Sequence, residues 1–197
     1  MKRVFDVLIS FFTLVLFLPI GLIISLLIAF TSTGGVFYQQ ERIGLYGKPF
    51  KIFKFRTMRT DSDTKGKLTV GMRDSRITSV GYFLRKYKLD EFPQFINVLR
   101  GEMSIVGPRP EVHEYVKLYT ESQRKILNVK PGITDYASLE YFNENELLAR
   151  SINPQQTYIL EIMPAKLRLN EKYLENPTIT HDLKIMTKTF FKILKIK

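Results

Sequence analysis

The chain has 197 residues, 45% of them apolar, with 30 Lys and Arg against 19 Asp and Glu and no cysteine. That length holds one domain and an appendage, and the absence of cysteine excludes a disulfide framework or a thiolate metal site. The net charge of +11 points to a polyanionic partner: nucleic acid, acidic lipid or nucleotide.

Val7 to Phe30 is almost wholly apolar, interrupted only by Ser, Thr, Gly and Pro19. As a straight helix, about 24 residues span roughly 36 Å, enough to cross a bilayer. The flanks argue against crossing. Lys2 and Arg3 precede the segment, and Arg42, Lys48, Lys51, Lys54, Arg56 and Arg59 follow it. Basic flanks prefer the cytoplasm. Pro19 lacks an amide hydrogen and crowds the carbonyl of Val15, so it should kink or break the helix. The expectation is a re-entrant helix–break–helix over residues 1–32 that enters and leaves on one face. The alternative is an ordinary kinked transmembrane helix.

Residues 33–197 read as a cytoplasmic domain of α+β class, mainly helical. Val36–Gln40 and Phe50–Phe55 predict a small β-hairpin across the Gly44–Pro49 turn. Asp61 to Asp74 is polar, either a solvated connection or a lid. Ser79–Lys88 predicts a helix with Tyr82, Phe83 and Tyr87 partly buried. Asp90 can cap a second helix, Glu91–Leu99, with Pro93 in its first turn and Gly101 past its end. A cap position would also set Asp90 at the positive end of a helix dipole, where phosphate is welcome. Val112–Asn128 reads as a helix, and Asn143–Ala149 and Asn153–Asn176 carry further helical pattern, interrupted at Pro154 and Pro164. Asp182–Lys197 sets lysines on one face and Leu183, Met186, Phe190, Ile193 and Leu194 on the other. That pattern suits a helix lying on anionic lipid, or one docked to the core with a solvated lysine face.

The adjacent carboxylates Asp90 and Glu91 stand among basic residues, with Arg109 supplied by Gly107-Pro108-Arg109-Pro110. This is equipment for a phosphorylated substrate and a divalent cation. No recognised nucleic-acid motif accompanies the charge.

These motifs, taken in order, resemble the bacterial sugar transferase family, the small monotopic phosphoglycosyl transferases. The resemblance rests on Lys2-Arg3 with Asp6, the apolar segment with Pro19, Gln40-Glu41-Arg42-Ile43-Gly44 and Lys54-Phe55-Arg56-Thr57-Met58. It continues through Asp74-Ser75-Arg76-Ile77-Thr78, Leu89-Asp90-Glu91-Phe92-Pro93-Gln94, Asn97-Val98-Leu99, Gly107-Pro108-Arg109-Pro110, Pro131-Gly132-Ile133-Thr134 and Asp182-Leu183-Lys184-Ile185. It implies transfer of a sugar-1-phosphate from a nucleotide diphosphate sugar, a UDP-sugar, to polyprenol phosphate. It assigns Asp90 as nucleophile, forming an aspartyl phosphosugar, and Glu91 as its partner in metal binding or deprotonation. Arg85, Arg109 and Arg56 would bind substrate phosphate, Mg2+ would serve as cofactor with Asp90 and Glu91, and Pro19 would break the membrane hairpin. The implied place is the cytoplasmic face of the bacterial inner membrane, held monotopically by lipid, with no nucleic acid as partner.

Two departures stand out. Leu18 precedes Pro19 where many members carry Ser. The stretch after Thr134, from Asp135 through Tyr141 and on to Glu146, replaces a run of Gly, Gln and Gly-Arg-Asn, so substrate identity does not carry over. The competing readings are a membrane-tethered nucleic-acid-binding module and a non-catalytic partner of glycan assembly. Retention of Asp90 and Glu91 counts against the second.

Overall fold

A computed structural model describes residues 1–60, 62, 68–71 and 74–195. The first element is one long helix, α1, Lys2–Thr31. Its most apolar 18-residue stretch has a mean hydropathy of 2.8, and only 17% of that stretch is buried by the rest of the chain. The buried side chains Asp6, Ser10, Phe17, Ile24 and Ile28 form a stripe at helical spacing. Leu8, Phe11, Phe12, Val15, Leu16, Ile20, Ile23 and Leu27 point away from the protein.

The helix runs through Pro19 without interruption, so the break expected there does not appear in the secondary structure. Proline removes one backbone donor and adds one clash, a cost of about 3 kcal/mol. The packed stripe continues on both sides of it. Phe17 stacks on Phe92 at 3.8 Å before the proline, and Ile24 and Ile28 join the same cluster after it.

Strand β1, Phe37–Ile43, pairs antiparallel with β2, Pro49–Phe55, in the register Phe37↔Phe55 to Ile43↔Pro49. The hairpin is the expected one, with its first strand running three residues further, to Ile43. Helix α2, Ser79–Lys86, begins at Thr78, whose side chain accepts the amide of Gly81. It buries Gly81 and Leu84 and exposes Tyr82 and Phe83, where partial burial is expected, while Tyr87 just past its end is half-buried as expected. The polar stretch 61–74, expected as a connection or lid, falls largely outside the described residues.

Leu89–Glu91 forms a single 3-10 turn, and helix α3, Gln94–Arg100, follows it. Asp90 therefore does not cap a helix. Lys88, at φ 57°, turns the chain sharply before it, and the helix starts only after Pro93. Strand β3, Ser104–Val106, pairs parallel with β4, Gly132–Thr134.

Val112–Asn128 is not one helix. It is a short α4, His113–Val116, followed by a 3-10 stretch, Gln123–Asn128. Thr120 accepts the amide of Gln123 with its hydroxyl, a local bond that competes with helix continuation. Helix α5, Tyr136–Glu140, is capped by Asp135, and α6 spans Glu144–Ala149. The helical pattern over 153–176, expected to be interrupted at Pro154 and Pro164, starts at Pro154 and runs as α7, Pro154–Thr157, a π turn, Tyr158–Ile162, and α8, Met163–Leu174. The wider turn lies just before Pro164, where the missing amide and the ring need accommodation.

The last helix, α9, Ile179–Leu194, docks through Asp182 and Ile185. It leaves Leu183, Phe190, Phe191 and Leu194 exposed.

Candidate active site

The site forms where three short segments meet. The first is the turn carrying Asp90 and Glu91. Leu89 and Phe92 on either side of the pair pack into the cluster of Phe17, Phe55 and Leu84. That anchoring faces Asp90 and Glu91 into a cavity of about 540 Å³. The second is β2, which presents Lys54. The strand is fastened to α3 by buried Asn97, which accepts the amide of Phe53 at 2.9 Å and donates to the carbonyl of Lys51 at 2.8 Å.

The third is the loop after β3, carrying Arg109. Gly107 lies against Gly132 so closely that a Cβ on Gly132 would sit 2.1 Å from the Gly107 nitrogen. Beyond it, the Arg109 amide donates to Asp135 at 3.1 Å, and the other Asp135 oxygen accepts the Ser138 amide at 2.6 Å. One buried carboxylate thus fixes both the Arg109 backbone and the start of α5.

Glu91 is fully paired. Arg109 forks it, with Nη1 3.1 Å from Oε2 and Nη2 on Oε1, and Lys54 Nζ lies 2.9 Å from Oε1. Burial alone would raise the Glu91 pKa, but Arg109 and Lys54 overcome it and hold the carboxyl well below its usual range. Glu91 raises the Arg109 guanidinium in return, against the opposing effect of burial. Burial lowers the Lys54 ammonium, with Glu91 opposing.

Asp90 is treated differently. It is 7% exposed, and among the described residues its carboxylate accepts no hydrogen bond. Burial and the adjacent Glu91 raise its pKa, while Lys54, Arg85 and Lys88 act against them. The result is a desolvated carboxylate with cations nearby and no donor blocking its oxygens.

The five expected site residues all line this one cavity: Asp90, Glu91, Arg85, Arg109 and Arg56. Their engagement differs. Arg85 reaches Thr57 Oγ1 at 3.5 Å. Arg56 donates to the backbone carbonyls of Gly35 at 2.8 Å and Phe37 at 3.3 Å, so it also ties the start of β1. Pro19 is absent from the lining and belongs to α1.

Lys54 and Lys88 are site residues that the motif reading passed over. Lys54 carries a partial signal, as one of two lysines, with Lys51, in the otherwise apolar strand Phe50–Phe55. A further group, Arg42, Glu111, Tyr158, Glu144 and Lys166, extends the cavity wall.

Among the described residues no cluster of three His, Asp or Glu side chains could cage a metal ion. Asp90, with its unbonded oxygens, fits Mg2+ carried by a substrate, because that ion is commonly held by one or two carboxylates together with phosphate oxygens. Both oxygens of Glu91, the other expected ligand, are already held by Arg109 and Lys54.

A cavity with an unbonded buried carboxylate and a surplus of cations suits a phosphate-bearing ligand. Comparison with known proteins narrows the class. Residues 1–196 match the model of the bacterial sugar transferase family, and the chain belongs to that family of transferases. It is 37% identical over 98% of its length to the sugar transferase EpsL of Bacillus subtilis, covering 87% of that protein. It is 36% identical over 98% of its length to the UDP-glucose:undecaprenyl-phosphate glucose-1-phosphate transferase of Escherichia coli, of which it spans 40%. A putative undecaprenyl-phosphate N-acetylgalactosaminyl 1-phosphate transferase of Bacillus subtilis is 41% identical over 68% of the chain and 70% of that protein.

Proposed function

We propose that this chain transfers a sugar-1-phosphate from a UDP-sugar to undecaprenyl phosphate, initiating the assembly of a surface polysaccharide or glycoprotein glycan. The observation that carries the reading is Asp90: buried, accepting no hydrogen bond among the described residues, and facing Lys54, Arg85 and Lys88.

In the first step an Asp90 oxygen attacks the phosphorus that bears the sugar. The bond from that phosphorus to the bridging oxygen breaks, and UMP leaves with the electron pair. The product is an aspartyl phosphosugar. In the second step an oxygen of the polyprenyl phosphate attacks the same phosphorus. Asp90 leaves as the carboxylate, and a polyprenyl diphosphate sugar is released. Splitting one displacement between anions into two is the gain of covalent catalysis. Arg109, Lys54 and Arg85 bind the phosphoryl oxygens and stabilise charge that develops on them. The paired state of Glu91 keeps Arg109 and Lys54 in place.

Mg2+ would be held by Asp90 with the diphosphate, and by Glu91 only where that carboxylate gives up part of its pairing with Arg109 or Lys54; it would supply further charge neutralisation. We propose a monotopic placement on the cytoplasmic face of the inner membrane, with the continuous α1 immersed in one leaflet by its outward apolar face rather than crossing. Contacts from the first turn of α1 to the catalytic domain support it.

The test is intact-mass analysis of the full chain with a UDP-sugar and magnesium and no acceptor. A mass increase of one phosphosugar is expected, lost in Asp90→Asn, which should also abolish UMP release. Substantial turnover by that variant would sink the assignment of Asp90. Chelation should stop activity and added Mg2+ restore it; full turnover in chelator would remove the metal from the mechanism.

A further inference from the structure

The cavity has two chemically different ends. Around Asp90 and Glu91 stand Lys54, Arg85, Lys88 and Arg109, more cations than carboxylates. The other wall carries charges in pairs. Lys166 Nζ lies 2.7 Å from Glu144 Oε2, and Arg42 lies 3.0 Å from Glu111, which also accepts from the Tyr158 hydroxyl. The Lys166 ammonium sits 5.5 Å from the centre of the Tyr158 ring.

A net-positive end suits phosphate. A wall with donors and acceptors but balanced charge suits hydroxyls and other neutral polar groups. The two ends are close enough to interact. Glu144 is one of the carboxylates that raise the Arg109 guanidinium. Glu144 and Lys166 keep 23% and 12% of their side-chain surface exposed, and both line the cavity.

We propose that the Glu144–Lys166 pair, bridging α6 and α8, is the subsite that recognises the sugar of the donor and sets which UDP-sugar is accepted. This rests on the transferase reading above. With the diphosphate held by Arg109 and its neighbours, the sugar extends toward this wall. Glu144 accepts from its hydroxyls and Lys166 donates to them. A donor whose polar groups do not match leaves this pair desolvated without compensation, which is an effective way to reject a near analogue.

The experiment uses the full chain in lipid nanodiscs with Mg2+, undecaprenyl phosphate and a panel of UDP-hexoses and UDP-N-acetylhexosamines. UMP release gives kcat/KM for each donor. Glu144→Gln and Lys166→Met should each change the ratio between the best and next-best donor by about 10-fold or more, while UMP inhibits as in the unmodified protein. Lys166→Arg keeps the charge with different donor geometry, and should change the ratio too if Lys166→Met proves unstable on heating.

An unchanged ratio in folded variants overturns the subsite alone. An equal loss with every donor, together with weaker inhibition by UMP, also overturns it, because the wall then holds the nucleoside. Failure of the unmodified protein to release UMP with any donor refutes the transferase reading and the subsite with it.

Discussion

Lys54 lies 2.9 Å from Glu91 and acts on Asp90 through space. Adjacent carboxylates at positions 90 and 91 consequently have opposite electrostatic states, one held low by paired cations and one pushed up by burial and its neighbour. The attack proposed for Asp90 requires its ionised form. Activity should therefore fall as pH drops through the raised Asp90 pKa, at a pH above the ordinary aspartate value of 3.8. Glu91 keeps its charge throughout that window. Lys54→Met removes one cation that opposes the rise, so the acid limb of kcat/KM should move to higher pH. The rate at its plateau should drop by about 10- to 100-fold from lost charge stabilisation. A pH–rate profile of the two proteins checks both, and an unmoved limb would detach Lys54 from Asp90. Glu91→Gln weakens both ion pairs at once, and should reduce kcat/KM more than Lys54→Met does.

At the scale of elements, the position of α2 decides where Arg85 points. Gly81 faces the β2 side so closely that a Cβ there would lie 2.0 Å from the carbonyl oxygen of Thr57. That oxygen also accepts the Thr78 amide at 3.0 Å, so the backbone cannot retreat without losing the bond. Gly81→Ala should push α2 outward, destabilise the chain by about 3 kcal/mol, and carry Arg85 away from the cavity. Thermal unfolding and kcat/KM should fall together; an unchanged melting temperature would contradict the packing.

Much of this arrangement is legible in the sequence, and the rest is hidden for definite reasons. The hairpin follows from alternation across a turn, and Asp90, Glu91 and Arg109 from their motifs. Asp90 reads as a helix cap because Asp before a helical pattern usually is one. The left-handed turn at Lys88 is what displaces it, and nothing in a lysine announces that conformation. The Val112–Asn128 pattern fails at Thr120, where a hydroxyl competes for the backbone. The paired wall of Arg42, Glu111, Glu144, Tyr158 and Lys166 gathers residues far apart in the chain, so no local spacing could reveal it.

For the whole molecule, the first turn of α1 is tied to the catalytic domain. Lys2 pairs with Asp182 on α9, which is 1% exposed and also accepts from Tyr173 at 2.6 Å. Arg3 donates to the carbonyls of Val98 at 2.6 Å and Leu99 at 3.1 Å, and Asp6 accepts from Ser104 at 2.8 Å. The other end of α1 leads directly into β1 of the same domain. A helix that crossed the bilayer would separate these ends and leave Asp182 as a buried carboxylate without its cation, a costly state. The outward apolar face of α1 and exposed Phe190, Phe191 and Leu194 of α9 can instead meet the same leaflet. Two measurements separate the topologies. The chain has no cysteine, so one inserted after Met1, or placed by Lys48→Cys, is a clean probe. Both should resist an impermeant thiol reagent in intact cells and react once the cells are opened. In nanodiscs, Lys2→Met should destabilise the catalytic domain by up to about 3 kcal/mol, below the fully buried case because Lys2 keeps 36% of its side chain exposed. Labelling of the amino-terminal cysteine from outside, with no loss of stability in Lys2→Met, would establish a crossing helix and overturn the monotopic placement.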